Sequence, residues 1–298
     1  MKIAITGASG FIGRRLMKTF VGAGHEVRVL SRHAGTNLPP GIKLFVWDPM
    51  QGPPPEESLR GADGVVHLAG EPVAQRWTAA AKERIRASRV TGTRNLVAGL
   101  ARLESPPAAL VSASAVGYYG SRGEEMLAES APPADTWLGG VCVDWEKEAE
   151  SAESLGMRVV RVRIGLVLDP RGGALQKMLP AFRMGVGGKL GSGRQWMPWI
   201  HLADLAALFQ FAAERNVRGP LNGVAPYAVT NAEFTRELGK ALRRPAVLPM
   251  PAAALKVLFG EMAEVMLASQ RVVPEAAEAA GFRFRYPQLW PALVNLLE

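Results

Sequence analysis

The feature that most constrains this chain is the turn Gly7-Ala8-Ser9-Gly10-Phe11-Ile12-Gly13. It follows the β-rich run Lys2–Thr6 without a break and opens an amphipathic stretch that ends at Gly22-Ala23-Gly24. Glycines alone are a weak signal; the strand–turn–helix setting is what makes them specific. Gly7 permits the tight turn, Gly10 lets a pyrophosphate approach the backbone, and Gly13 lets helix and strand pack closely. The free N–H groups of the first helical turn then face the anion, which the helix dipole favours. Ser9, Phe11 and Ile12 complete the turn and count with the three glycines as candidate cofactor contacts.

Downstream of the turn, strands are expected at Glu26–Leu30, Ile42–Val46, Gly64–Leu68, Ala108–Ser112 and Arg158–Ile164, with helices over Thr78–Leu103 and Trp137–Ser154. Strands alternating with helices imply βαβ crossovers and a parallel sheet covered on both faces, a doubly wound α/β fold. At 298 residues and 48% hydrophobic, the chain is large enough to bury a core without disulfides or metals. Its single cysteine, Cys142, excludes an intramolecular disulfide framework and a multi-cysteine zinc site. His25, His33, His67 and His201 lack metal-ligand spacing, so no metal is expected. No apolar run approaches the roughly 18 residues of a membrane span. The opening MKIAITG runs straight into the turn, which leaves no room for a cleavable signal peptide, and a cytoplasmic protein is expected.

From about residue 170 the pattern changes: Gly and Pro become frequent between short helices. Leu202–Arg215, Asn231–Leu242 and Ala252–Phe259 read as helices, and Leu221–Val224 as a last strand returning to the sheet. The expected division is a cofactor domain over residues 1–168, completed by that strand, and a small C-terminal substrate lobe over 169–298. The formal charge of +8 is uneven: residues 1–149 carry a net +2 and residues 150–298 a net +6. Eight basic residues (Arg158, Arg161, Arg163, Arg171, Lys177, Arg183, Lys189, Arg194) fall within 158–194 against one acid, Asp169. Such a run is either a solvated face or an anion-binding region for a phosphate-bearing ligand. No basic arm or recognition-helix pattern points to nucleic acid.

Cofactor choice is read about 20 residues past the turn, where an acid would bind a ribose 2′-hydroxyl. Here stand Ser31 and Arg32. A guanidinium beside a hydroxyl suits a 2′-phosphate and hence NADP(H), although an arginine there also stacks on adenine. Leu68, Ala69, Gly70 and Glu71 follow the fourth strand at the sheet edge where such a ligand lies. In the long helix, Ile85, Arg89, Gly92, Leu96, Leu100 and Leu103 recur on one face. Arg89 therefore turns a permanent charge toward the sheet and needs an anionic partner, either a carboxylate or the cofactor. Trp196, Met197, Trp199 and Phe182 line an apolar pocket or form ordinary lobe core.

Thr6–Gly13, Val66-His67-Leu68-Ala69-Gly70 and Ser112–Gly120 resemble the corresponding segments of extended short-chain dehydrogenases/reductases. So does Pro198-Trp199-Ile200-His201-Leu202-Ala203-Asp204-Leu205. Gly172-Gly173-Ala174, Met178–Arg183, Gly185–Gly193, Leu221–Pro226 and Thr230–Phe234 are similar to the atypical "epimerase family" group, NAD-dependent epimerase/dehydratase-like. The resemblance covers nearly the whole chain. It implies a Rossmann domain, NADP(H) binding, a small C-terminal substrate lobe and a homodimer, without naming a substrate.

The departure from that superfamily is as informative. Its catalytic unit is a Ser or Thr after strand five and a Tyr-x-x-x-Lys on the next helix. Here that helix reads Trp137-Leu-Gly-Gly-Val-Cys142-Val-Asp144-Trp145-Glu146-Lys147, and no tyrosine occurs between Gly120 and Pro226. The groups left to substitute are Ser112, with Ser114 expected already in the loop, and Tyr118 or Tyr119. Each tyrosine is either a loop-borne phenol or a packing residue. Asp144 and Glu146 rank below them, because helix charges are mostly on the surface. Two functions follow: an NADP(H)-dependent oxidoreductase or epimerase-like enzyme on a small anionic molecule, or a non-catalytic NADP(H)-binding sensor or scaffold. A sugar-nucleotide epimerase proper is least favoured, since ring oxidation needs the absent base.

Overall fold

The computed structural model describes residues 1–35 and 38–298. Seven strands form one parallel sheet: β1 (Lys2–Thr6), β2 (Glu26–Ser31), β3 (Lys43–Val46), β4 (Gly64–His67), β5 (Ala109–Ala115), β6 (Arg158–Ile164) and β7 (Gly219–Gly223). Their spatial order is β7-β6-β5-β4-β1-β2-β3, so the direction of winding reverses between β1 and β4. In open α/β sheets ligands bind at that switch point, beyond the carboxyl ends of the strands. Ile3, Ile5, Val27, Val29, Val66, Val111, Val160 and Val162 join the core on one face, while Ala4, Leu30, Val65, Leu110 and Val159 join the core on the other. Apolar side chains on both faces explain why these strands read as continuous apolar runs.

Helix α1 (Phe11–Gly22) buries Gly13, Leu16, Met17 and Phe20, the i, i+3, i+4, i+7 stripe of an amphipathic helix. Helix α2 (Ala79–Leu100) is capped by Thr78, whose hydroxyl accepts from the Ala81 N–H. Helix α3 (Trp137–Glu150) is capped by Thr136 and continues as a 3-10 turn over Ser151–Leu155. Beyond β6 the chain adds α4 (Gly173–Arg183), α5 (Leu202–Glu214), α6 (Asn231–Leu242), α7 (Ala252–Phe259), α8 (Met262–Leu267), α9 (Glu275–Ala279) and α10 (Leu289–Leu297). Helix α5 lies back along α1 in the main core. Phe182, Trp199, Phe234, Leu238 and Leu293 build a separate core among the C-terminal elements. No helix among the described residues is long and apolar enough to cross a membrane.

One boundary differs from expectation in a way that matters. Strand β5 runs to Ala115, pairing with β6 from Ala109↔Arg158 to Ala115↔Ile164. Ser114 therefore lies inside the strand and is 2% exposed, not in the loop. Small residues in Ser112-Ala113-Ser114-Ala115 give no apolar alternation, so only the pairing partner extends the strand.

Candidate functional site

The C-terminal edge of the sheet gathers most of the residues singled out by sequence. Gly7 has φ +69°, and a Cβ there would fall 2.8–2.9 Å from backbone atoms of Leu68 and Ala69. A Cβ on Gly13 would fall 2.3 Å from the Gly7 carbonyl oxygen and 2.6 Å from Ala8 Cα. Both positions are closed to any side chain by backbone. Gly10 is the N-cap of α1; no side chain caps it, and the first turn carries no acidic residue. The leading N–H groups of α1 are thus left to a ligand. The Arg14 Nε–H donates to the Ser9 carbonyl at 2.8 Å and fixes the loop.

A neutral cluster holds this turn to β4. The Thr6 hydroxyl oxygen accepts the N–H groups of Leu68 and Ala69, both at 3.2 Å, and lies 2.7 Å from His67 Nδ1. His67 Nε2 lies 3.0 Å from the Thr93 hydroxyl on α2. An oxygen already accepting two N–H groups donates its own proton to Nδ1, which leaves the imidazole hydrogen on Nε2, directed at Thr93. Burial lowers the imidazole pKa to about 4, so the ring is neutral at pH 7.

Beyond β4, the Arg89 guanidinium donates to the carbonyls of Glu71 (2.9 Å) and Ile85 (3.1 Å). It lies 5.0 Å from the Trp145 ring and would be 3.5–3.6 Å from a Cβ on Gly70. No ion pair to a carboxylate forms at Arg89 among the described residues. Burial depresses its pKa, partly offset by Cys142 and Glu71. Of the two partners the sequence leaves open, the structure supplies no carboxylate. The Glu71 carboxylate itself turns toward Gln75 and Arg84. At the end of β2, Ser31 is buried and Arg32 exposed.

On the β5–β6 side the site is ionic. Glu146 on α3 is 4% exposed. It accepts from the Ser114 hydroxyl at 2.6 Å and from Arg163 through both oxygens, at 2.8 and 2.9 Å. Burial works against the Arg163 charge, but the hydrogen bonds and charge of Glu146 outweigh it and raise the guanidinium pKa. Arg163 NH1 also donates to the Tyr119 oxygen (2.8 Å), and the Tyr119 hydroxyl donates to Asn222 Oδ1 (2.7 Å). Burial pushes the Tyr119 phenol up to about 12. The Tyr118 ring lies under the Arg163 guanidinium at 3.5 Å. Ser112 is 1% exposed, and its hydroxyl donates to the Ala113 carbonyl at 3.2 Å.

These contacts revise three expectations. Tyr119 is a buried group whose hydroxyl is committed to Asn222 and Arg163, while Tyr118 is half-buried with its ring against the Arg163 guanidinium. Glu146 is no surface acid; the signal for it was its place on the buried α3 stripe with Val141, Cys142, Trp145 and Ala149. The basic run 158–194 does not form one face. Arg158 donates to the carbonyls of Ala212, Ala213 and Val217, Arg161 and Arg163 pair with Glu146 and Glu150, and Arg171 pairs with Asp169. Trp199 and Phe182 are lobe core, and Trp196 donates to Glu124 at 2.7 Å.

Residues 3–229 match the NAD dependent epimerase/dehydratase family, and residues 250–296 match a domain of unknown function, DUF1731. The chain belongs to the NAD dependent epimerase/dehydratase family. It is 42% identical over 294 residues to the epimerase family protein Mb2239 of Mycobacterium bovis, covering 98% of this chain and 96% of the relative. It is 39% identical over 313 residues to the chloroplastic SDR39U1 homolog of Arabidopsis thaliana, covering 100% and 87%. The crystal structure of human epimerase family protein SDR39U1 (isoform 2) with NADPH superposes with a TM-score of 0.89 at 35% identity, covering 100% of this chain and 99% of that one.

Within this epimerase/dehydratase family member, the helix after β5 turns Cys142 and Glu146 toward the sheet at i, i+4 spacing, where a Tyr-x-x-x-Lys would have the same spacing. The Cys142 thiol is pushed up to about 12 by burial and by the Glu146 charge. A neutral thiol and a carboxylate locked to Arg163 do not reproduce a phenol activated by an ammonium group.

Proposed function

We propose that this protein binds NADP(H) across the β1–β4 switch point and acts as an oxidoreductase on a small anionic molecule held between the sheet edge and the lobe. The observation that carries this reading is the α1 N-terminus, uncapped by any side chain and closed to any Cβ at Gly7 and Gly13. Gly7, Ser9, Gly10, Phe11, Ile12 and Gly13 would hold the pyrophosphate, and Ser31 with Arg32 the 2′-phosphate. Leu68, Ala69, Gly70, Glu71 and Arg89 would line the edge toward the nicotinamide ribose. Arg89 fits such a group, since its partners within the chain are carbonyls that do not neutralise it. When bound, the cofactor supplies hydride exchange. The NADPH in the human relative's structure supports the same choice of nucleotide. An ion pair ties Lys82 on α2 to Glu261 in the C-terminal segment.

Fluorescence titration with NADPH and NADH tests the reading. NADPH should bind tighter in the native protein, and Arg32→Ala should weaken NADPH by about 10–100-fold, the equivalent of one charge-assisted hydrogen bond of about 1.5–3 kcal/mol, while leaving NADH unchanged. Equal affinities, indifferent to Arg32, overturn the choice of NADP(H); no binding of either nucleotide overturns the whole reading.

A second reading, a cofactor-binding protein without turnover, is favoured by one observation: Tyr119 is buried, with its hydroxyl donated to Asn222. NADPH consumption across carbonyl and nucleotide-sugar substrates separates the two, since only the first reading predicts oxidation above the no-substrate rate.

A further inference from the structure

A cavity of about 360 Å³ lies on the lobe-facing side of α1, where the start of α5 meets the segments around Asp169 and Arg285. Its size is at the lower end of small-molecule pockets, about 300–1,000 Å³. None of the residues of the glycine turn lines it, and Gly172, next to the wall residue Arg171, lies against the Phe11 ring. Three guanidinium groups line it, those of Arg15, Arg171 and Arg285. The one carboxylate in its wall, Asp169, is held by Arg171 through both oxygens at 2.9 and 2.7 Å. Arg15 and Arg285 have no ion-pair partner among the described residues, and the Arg15 Nε–H is buried without a hydrogen bond.

His201 supplies the second, independent sign. It is 5% exposed, stacks on Tyr286 at 4.1 Å, and lines the cavity. Its Nδ1 accepts the Ala203 N–H at 3.0 Å, capping α5. In the neutral ring Nε2 must then carry the hydrogen. That nitrogen is buried and has no partner in hydrogen-bond geometry, although Asn295 approaches the ring. A buried donor left unmade costs about 1–3 kcal/mol; here it stands beside Arg15 and the exposed Arg285, at the N-terminus of a 13-residue helix whose first-turn acid, Asp204, is held by the N–H groups of Arg285 and Tyr286.

We infer that this cavity is a second anion site, distinct from the dinucleotide edge, that takes the phosphate group of a small phosphate-bearing molecule. Forked guanidinium donors converging with an imidazole N–H from different directions suit a tetrahedral, multiply accepting oxyanion.

The probe is inorganic phosphate, titrated by calorimetry with and without saturating NADPH. Saturable binding at about 1 mM or tighter is expected, unaffected by NADPH. Arg15→Gln and Arg285→Gln should each weaken it by about tenfold or more, and Arg32→Ala should leave it unchanged. His201→Asn keeps an acceptor for the Ala203 N–H while deleting the Nε2 donor, so it should weaken phosphate without lowering Tm greatly. Should an arginine variant fold poorly, imidazole ¹⁵N resonances of the unmodified protein read the site directly: His201 should shift with the calorimetric dissociation constant. Binding that NADPH displaces or that Arg32→Ala abolishes, or phosphate that leaves the His201 resonance unmoved, overturns the proposal. The Arg15, Arg285 and His201 variants and the His201 resonance read the site whether or not NADPH itself binds.

Discussion

Two buried polar clusters flank the carboxyl edge of the same sheet, and they are built from opposite materials. Under the glycine turn, Thr6, His67 and Thr93 form a neutral chain that ties backbone amides of the β4 edge to β1 and α2. Across the β5–β6 half, Ser114, Glu146, Arg163, Tyr119 and Asn222 form an ionic network. The neutral side serves a site whose ligand contacts are mainly backbone, so its side chains need only hold the chain still. On the ionic side the Glu146 and Arg163 charges answer each other. A buried pair of this kind is costly to break, though not a strong source of net stability.

Breaking the ionic side should give the largest effect. Arg163→Met leaves Glu146 buried without its bidentate partner, with Arg161 3.7 Å away as the remaining cation, and should cost about 3–5 kcal/mol in equilibrium denaturation. Adding Glu146→Leu should recover most of that loss, because an apolar pair can replace a buried ion pair at little cost. If the single variant is as stable as the parent, the network is decoration and the contrast fails.

The neutral side should announce itself through pH. The folded His67 pKa of about 4 lies below the unfolded value of about 6.5, so the unfolded chain binds the proton more readily. The contribution is whole above pH 6.5, falls as pH drops toward 4, and levels off below. Its full span is about 3 kcal/mol. His201, also lowered to about 4 by burial, adds a term of the same sign. Urea denaturation at pH 7 and pH 5 should therefore show a smaller acid loss for His67→Gln than for the parent; equal losses would mean the ring is not held neutral.

The two clusters also differ in how far the sequence exposes them. Gly7, Gly10 and Gly13 act through local backbone geometry within one turn, and the strands pairing beside them are apolar on both faces, so fold and cofactor edge are both readable from short windows. The ionic network joins residues 17 to 103 positions apart. Nothing in the Trp137–Glu150 segment announces that Glu146 meets Ser114, because that depends on β5 reaching Ala115 and on β6 pairing along its full length. The same holds for the basic run. Strand alternation and helix packing carry Arg158, Arg161 and Arg163 to carbonyls and carboxylates elsewhere in the chain, which no count of arginines reveals.

A matched pair of substitutions in α1 sharpens the local half of the comparison. Gly13→Ala forces a Cβ to within 2.3 Å of the Gly7 carbonyl oxygen and should destabilise by about 1–3 kcal/mol while loosening the turn. Gly22→Ala, in the same helix with nothing within 4 Å of its Cβ, should be neutral or stabilising by up to about 1 kcal/mol. Thermal unfolding of the two variants side by side separates steric closure from helix propensity.

The smallest effect tests the direction of the neutral chain. Because Thr6 accepts two backbone N–H groups and donates to His67 Nδ1, the ring hydrogen sits on Nε2 and Thr93 is its acceptor. Thr93→Val keeps the shape but strands that N–H, at a cost of about 1–2 kcal/mol, whereas Thr93→Ser keeps an acceptor and should cost less. The ¹⁵N shifts of the His67 ring should report the Nε2–H tautomer in the parent and in the serine variant alike. An Nδ1–H tautomer would reverse the chain of donors, make Thr6 an acceptor three times over, and remove the reason this half of the edge holds without a charge.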